Sequence, residues 1–184
     1  MRILGISGSL RRASHNRELL RAASHALPPG AELVEWDDLA GLPAFDEDLE
    51  DARPEPVEAF LAEVDGADAL LIATPEYNAS VPGALKNALD WASRPFPDNV
   101  LREKPAVVIG ASTGLFGAVW AQAEVRKALR ASGARVLDGE LPVGMASEAF
   151  AGNGRLVEPE AAAQLAELLV DLAREVDAPA ERAA

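Results

Sequence analysis

Five short apolar runs punctuate the chain, and between them apolar residues recur at three- and four-residue spacing. The first run, Arg2 to Ser7 (RILGIS), ends in glycine and serine, as a buried strand does on entering a tight loop. Leu19, Leu20, Ala23 and Leu27 then repeat at helical spacing. Ser14 stands where a cap belongs, and Pro28-Pro29-Gly30 stops the helix. Ala31 to Trp36 alternates in the manner of a strand and runs into a proline- and acid-rich loop reaching about Arg53. A helix from about Pro56 to Val64 precedes ADALLIAT (Ala67 to Thr74), and Val81-Pro82 opens another through Trp91. AVVIGA (Ala106 to Ala111) is again a buried strand, followed by a helix over about Ala118 to Ala131. A shorter strand over about Arg135 to Leu141, a Gly- and Ala-rich loop and a last helix from Pro159 to about Val176 complete the series.

This alternation of strands and helices predicts an α/β protein with a parallel sheet covered on both faces. Right-handed crossovers leave few topologies. Five strands suit the order 2-1-3-4-5, a flavodoxin-like three-layer sandwich, better than the six-stranded dinucleotide fold. The 184 residues fit one domain, expected over 1–176, with 177–184 as a disordered tail. No internal repeat is present.

Composition narrows the chemistry. The chain has no cysteine, which excludes disulfides, thiolate metal sites and a cysteine nucleophile, so redox chemistry here requires a borrowed cofactor. Only four apolar-type residues follow Met1-Arg2, too few for a secretory leader, and no run approaches the roughly 18 apolar residues of a membrane span. The expectation is a soluble cytoplasmic protein without membrane insertion. A formal net charge of -13 argues against nucleic acid. That charge is concentrated, because Glu32 to Asp65 holds 13 acids and the single base Arg53. The segment reads first as a solvated acidic flank and second as a docking face for a basic redox partner.

Three loops that follow predicted strands carry the candidate chemistry, since open α/β sheets bind ligands outside the carboxyl ends of their strands. In the first, Gly8 permits a sharp exit from the strand. Ser9 and Ser14 supply hydroxyls, Asn16 an amide and Arg11 a guanidinium fork suited to phosphate oxygens, and a helix start points free N–H groups at the same spot. The loop matches neither G-x-x-x-x-G-K-[ST] nor G-x-G-x-x-G, so ATP hydrolysis and an ordinary dinucleotide fold are not indicated. Arg12 and Arg17 read as solvent residues. In the second loop, Pro75, Glu76, Tyr77 and Asn78 offer backbone groups, an amide and the only tyrosine, which suit the edge and face of a flat polar ring. Glu76 is not assigned as an acid catalyst. The third loop, Ser112, Thr113 and Gly114 running on to Gly117, permits close approach of backbone N–H groups to the negative charge of a reduced ring. Phosphate plus flat polar ring indicates flavin mononucleotide. His15 and His25 have no carboxylates at metal-ligand spacing, so no metal site is expected. Trp36 and Trp91 read as core or interface residues.

These residues resemble the NAD(P)H-dependent FMN reductase family, a flavodoxin-like group that includes bacterial quinone, chromate and azo-dye reductases. The likeness rests on GSLRRASHN (Gly8 to Asn16), PEYNASVPGALKNALDW (Pro75 to Trp91) and the Gly-rich turn through Gln122, and the alternation of elements extends it over about Arg2 to Val176. The resemblance implies that Ser9, Arg11, Ser14 and Asn16 hold the FMN phosphate. It implies that Pro75, Glu76, Tyr77 and Asn78 hold the ring and that Ser112 to Gly114 complete it. Catalysis would then lie at the flavin N5, with no catalytic side chain. NADPH or NADH would deliver hydride, and a quinone, free flavin or similar small electrophile would take it in a ping-pong cycle. The alternatives are a non-enzymatic flavodoxin-type electron carrier that docks through its acidic face, and a flavin-binding scaffold with redox-dependent partners.

The chain departs from some tetrameric relatives. They carry an arginine two residues before the glutamine, where Trp120 stands, and pair it across subunits with a glutamate after a proline, where Val143 follows Pro142. The charged tetramer contact is therefore absent. A homodimer is expected instead, along the stripe Ala84, Leu85, Ala88, Leu89 and Ala92 with an exposed Trp91. Trp120 and Val143 supply a second contact in a tetrameric variant of that expectation.

Overall fold

The computed structural model describes residues 1–178. Strands β1 (Arg2–Ser7), β2 (Glu32–Trp36), β3 (Ala69–Thr74) and β4 (Pro105–Ala111) lie parallel, and β5 (Arg135–Val136) and β6 (Pro142–Val143) both pair with β4. The order is β2-β1-β3-β4-β5, the flavodoxin-like arrangement predicted above. Helices α1 (His15–Ser24) and α5 (Pro159–Asp177) cover one face; α2 (Glu55–Asp65), α3 (Gly83–Ala92) and α4 (Val119–Ala131) cover the other. Strand alternation divides the core accordingly. Ile3, Leu71 and Ile109 pack under α1 and α5 with Leu19 and Leu169, while Leu4, Ile72 and Val108 pack with Phe60, Leu85 and Val125.

The expected fifth strand is interrupted. Leu137 still donates to the Ala106 carbonyl and Gly110 to that of Leu141, but the residues between leave the ladder. Asp138 and Glu140 turn outward to ion-pair with Arg130 and Arg126 of α4, so two carboxylates disrupt what should be an apolar run. The tail expected from 177 lies, beyond Ala178, outside the described residues; Asp177 itself closes α5. Among the described residues no helix is long and apolar enough to cross a membrane.

The dimer seam expected on α3 is corrected. Leu85, Ala88 and Trp91 are fully buried within the chain. The proline- and acid-rich loop folds back over them: the Trp91 indole and the Asn87 amide each donate to the Pro43 carbonyl at 2.9 Å, and Phe45 meets Trp91 edge to face at 5.0 Å. The chain supplies its own cover for that stripe. Val143 is likewise corrected from a subunit contact to a core residue, packed in the cluster beneath α5, whereas Trp120 is half exposed. Within the acidic flank, Glu35, Glu50 and Glu63 pair with Arg17, Arg94 and Arg2, which ties part of it to the rest of the domain, and Glu58 pairs with the flank's own Arg53.

Candidate active site

The parallel sheet ends β1, β3 and β4 at one edge, and the loops that leave them meet there. Gly8 leaves β1 with its N–H on the Ala73 carbonyl of β3, 2.8 Å away. A Cβ at Gly8 would sit 3.0 Å from Leu85 Cδ2 and 3.2 Å from Pro75 Cδ, so glycine lets the first loop run close beneath the second. The loop is then held by its own hydroxyls. The Ser9 N–H donates to Ser7 Oγ and the Arg11 N–H to Ser9 Oγ, both at 3.4 Å, and Ser14 caps α1 by accepting from the Arg17 N–H at 3.2 Å.

Asn16 differs from the expectation. It is 2% exposed, and both ends of its amide are used within the chain: Nδ2 donates to the Ala111 carbonyl and Oδ1 accepts from the Ala111 N–H, each at 2.9 Å. It clamps the start of α1 to the end of β4 across 95 residues and so positions two loops relative to each other. Its side chain therefore braces the two loops from within the cavity lining.

The second loop is a two-residue hairpin. Tyr77 and Ser80 exchange N–H···O bonds at 3.1 Å, with Asn78 at φ 54° and Ala79 at φ 57° between them. Two successive positive φ values characterise a type I′ turn, a conformation Asn tolerates and Ala resists. Tyr77 is 46% exposed and presents its ring to solvent. Asn78 is exposed at the tip.

The third loop enters α4 through Ala118, which is left-handed (φ 61°) and provides no side-chain cap. The cap comes from the second loop instead. The Glu76 carboxylate accepts from the Trp120 and Ala121 N–H groups at 3.1 Å each. The first free amides of α4 are therefore already occupied by Glu76. Amides that donate to nothing among the described residues include those of Thr113 and Gly114, and of His15 and Asn16 in the first turn of α1. Buried Gln122 holds the third loop from below, donating to the Gly117 carbonyl at 2.9 Å.

Of the predicted site residues, Ser9, Arg11, Ser14, Asn16, Pro75, Glu76, Tyr77, Ser112 and Thr113 line one cavity of about 100 Å³. Asn78 and Gly114, the next residues along from Tyr77 and Thr113, are not among its lining. Arg11 is exposed and makes no ion pair among the described residues, whereas Arg17 is bound to Glu35 at 2.6 Å. Sequence reasoning missed His15, which lines the cavity with Nδ1 3.0 Å from Glu18 and its ring parallel to Phe150. It also missed Glu124 of α4, whose carboxylate accepts from Ser80 Oγ and, at 3.2 Å, from the Val81 N–H. Those two bonds, with Lys127 nearby, hold the Glu124 carboxyl below its ordinary range. No motif marked it; its partners lie more than forty residues away. The assembled donors (two hydroxyls, a guanidinium and four unused amides) suit an anion, and the exposed Tyr77 face suits an aromatic ring beside it.

The sequence profile of the NADPH-dependent FMN reductase family matches residues 1–148. An NAD(P)H-dependent FMN reductase of Pseudomonas aeruginosa is 44% identical over 163 residues, 88% of this chain and 87% of that protein. A 2-hydroxy-1,4-benzoquinone reductase of Burkholderia sp is 44% identical over 126 residues, 68% of each chain. Among solved structures, FerB, a flavoenzyme NAD(P)H:(acceptor) oxidoreductase from Paracoccus denitrificans, superposes with a TM-score of 0.84 at 32% identity, covering 96% of this chain and 97% of its own.

Proposed function

The chain belongs to the NADPH-dependent FMN reductase family, and from that premise we propose that the three-loop cavity binds FMN and serves hydride transfer from NAD(P)H to a quinone or similar small electrophile. The observation that carries the reading is the cluster of donors without acceptors around one small cavity beside an exposed tyrosine face. The residues present fit the cofactor. Ser9, Arg11, Ser14 and the first amides of α1 would hold its phosphate. Pro75, Tyr77 and the backbone of Glu76 and Asn78 would line its ring, with the Ser112, Thr113 and Gly114 segment along the opposite edge. Bound FMN supplies the redox chemistry, accepting hydride from NAD(P)H and delivering it to the acceptor.

The chain's own residues bind, orient and polarise. The free Thr113 and Gly114 amides would offer fixed positive dipoles to a ring that gains charge. Asn16 and Gln122 hold the loops that carry these donors, so little reorganisation accompanies the change in charge. Glu76 is committed to the start of α4 and is not a proton donor. A single open face that serves donor and acceptor in turn gives ping-pong order.

The proposed assembly is a homodimer, with its seam moved from α3 to the exposed apolar surface of Leu115, Phe116, Trp120 and Met145 beside the third loop. Use of NAD(P)H, a donor held in the cytoplasm, supports a cytoplasmic location for the proposed activity. Anaerobic mixing of the FMN-loaded protein with NADPH tests the function: rapid bleaching of the flavin without a partner reductase is expected. A flavin that stays oxidised would instead identify an electron carrier.

A further inference from the structure

Two carboxylates join the second loop to α4 in opposite senses. Glu76, on the loop, accepts from the Trp120 and Ala121 amides of the helix, and Glu124, on the helix, accepts from Ser80 Oγ and the Val81 amide of the loop. Between these ties lies the turn at Asn78 and Ala79, both in the left-handed region. Ala79 gains nothing there from its side chain, because a Cβ opposes this conformation and no local hydrogen bond compensates. An isolated two-residue hairpin is marginal in water, and here no third strand among the described residues pairs with it, since Tyr77 and Ser80 form an isolated bridge. Something outside the hairpin must hold it. Glu124 meets it on the side where the chain returns toward α3, and Glu76 meets it where the chain leaves β3.

We propose that Glu124 is a positioning residue for the flavin ring, fixing the strained Tyr77–Ser80 turn against α4 without touching the cofactor. The proposal rests on the FMN reading given above and extends it to a residue outside the cavity lining. Phosphate anchorage is independent of this device, because Ser9, Arg11 and Ser14 are held by β1 and α1. Loss of Glu124 therefore changes how the ring is seated and how fast it is reduced, and leaves affinity nearly unchanged.

The test uses the full chain, with and without FMN. In the FMN-free protein, Glu124→Ala is expected to speed amide hydrogen exchange over residues 77–81 while leaving the sheet amides unchanged. With FMN, its dissociation constant stays within roughly threefold of wild type, the flavin absorption bands shift, and anaerobic reduction by NADPH slows by roughly tenfold, the effect of losing about one hydrogen bond's worth of positioning. Glu124→Gln keeps an acceptor oxygen and falls between the two. Ala79→Gly in the Glu124→Ala background makes the turn pair Asn-Gly, the preferred type I′ sequence, and is expected to restore most of the reduction rate. A merely structural loss of stability is recognised instead by faster exchange of the sheet amides in Glu124→Ala, because glycine at positive φ relieves strain in either case. Glu124→Ala with wild-type exchange, spectrum and rate overturns the proposal, as does a double variant no faster than the single one. Wild-type protein that fails to retain FMN overturns the cofactor reading itself.

Discussion

The loop after β1 and the turn after β3 face the same cavity but are built by opposite means. The first is organised from within. Ser14 and Asn16 are almost wholly buried, and their bonds run to the α1 backbone and to Ala111. The second is held from outside, by carboxylates at the surface acting on a turn whose central residues are exposed and in an unfavourable conformation. A phosphate site needs a fixed cradle of donors, which a buried loop supplies. A ring that must be reached by two substrates needs an open face, and an open face cannot be fixed by burial. The second region therefore depends on hydrogen bonds that the first does without.

The largest expected effect lies in the first loop. Asn16→Ala leaves both polar groups of Ala111 buried without partners, and each such group costs about 1–3 kcal/mol. Denaturant unfolding should show a loss of about 2–4 kcal/mol in stability. A loss below about 0.5 kcal/mol would mean that the first region is not held by burial. Arg11→Ala comes next: a charge-assisted hydrogen bond contributes about 1.5–3 kcal/mol, so FMN affinity should fall roughly ten- to hundredfold with no change in melting temperature. Arg12→Ala is the control and should leave affinity unchanged in the same fluorescence titration. At the second region, Asn78→Ala places two alanines at positive φ and should shift the flavin spectrum and slow reduction by roughly threefold to tenfold. Asn78→Gly, which accepts that conformation freely, should behave as wild type unless the amide itself touches the ring.

The smallest effect is one of pH. The Glu124 carboxyl is depressed in the folded chain by the Ser80 and Val81 donors. Its contribution to the turn is therefore complete above the ordinary carboxylate pKa and is lost as pH falls through the lower folded value. Protection from hydrogen exchange over residues 77–81, taken relative to the intrinsic rate at each pH, should be constant near neutrality and fall only on acidification below the usual carboxylate range. In Glu124→Gln that acid step should vanish.

Much of the first region was legible in the sequence, and less of the second. Gly8, Ser14 and Arg11 announce a loop that enters a helix with donors for an anion, because caps and phosphate loops depend on residues close together in the chain. The parallel order followed from the same local rhythm of strands and helices. What local pattern could not reveal were bonds between distant segments. The bracing role of Asn16 was not legible because its partner, Ala111, lies 95 residues on, at the end of β4. The role of the Glu76 carboxylate was not legible because the α4 amides that claim it are 44 and 45 residues on. The α3 stripe suggested a subunit seam because nothing in its periodicity shows that Pro43 and Phe45 return to cover it. The break between β5 and β6 was marked by Asp138 and Glu140, a signal outweighed by the flanking valine and leucines.

One paired measurement tests the division most directly: titrate FMN into Arg11→Ala and Glu124→Ala, then follow anaerobic reduction by NADPH at saturating FMN. The account predicts a crossed result. Arg11→Ala should bind FMN roughly ten- to hundredfold more weakly yet be reduced at nearly the wild-type rate once saturated, while Glu124→Ala should bind almost normally and be reduced roughly tenfold more slowly. Proportional losses of affinity and rate in both variants would contradict it, because phosphate anchorage and ring positioning would then be a single property of one site.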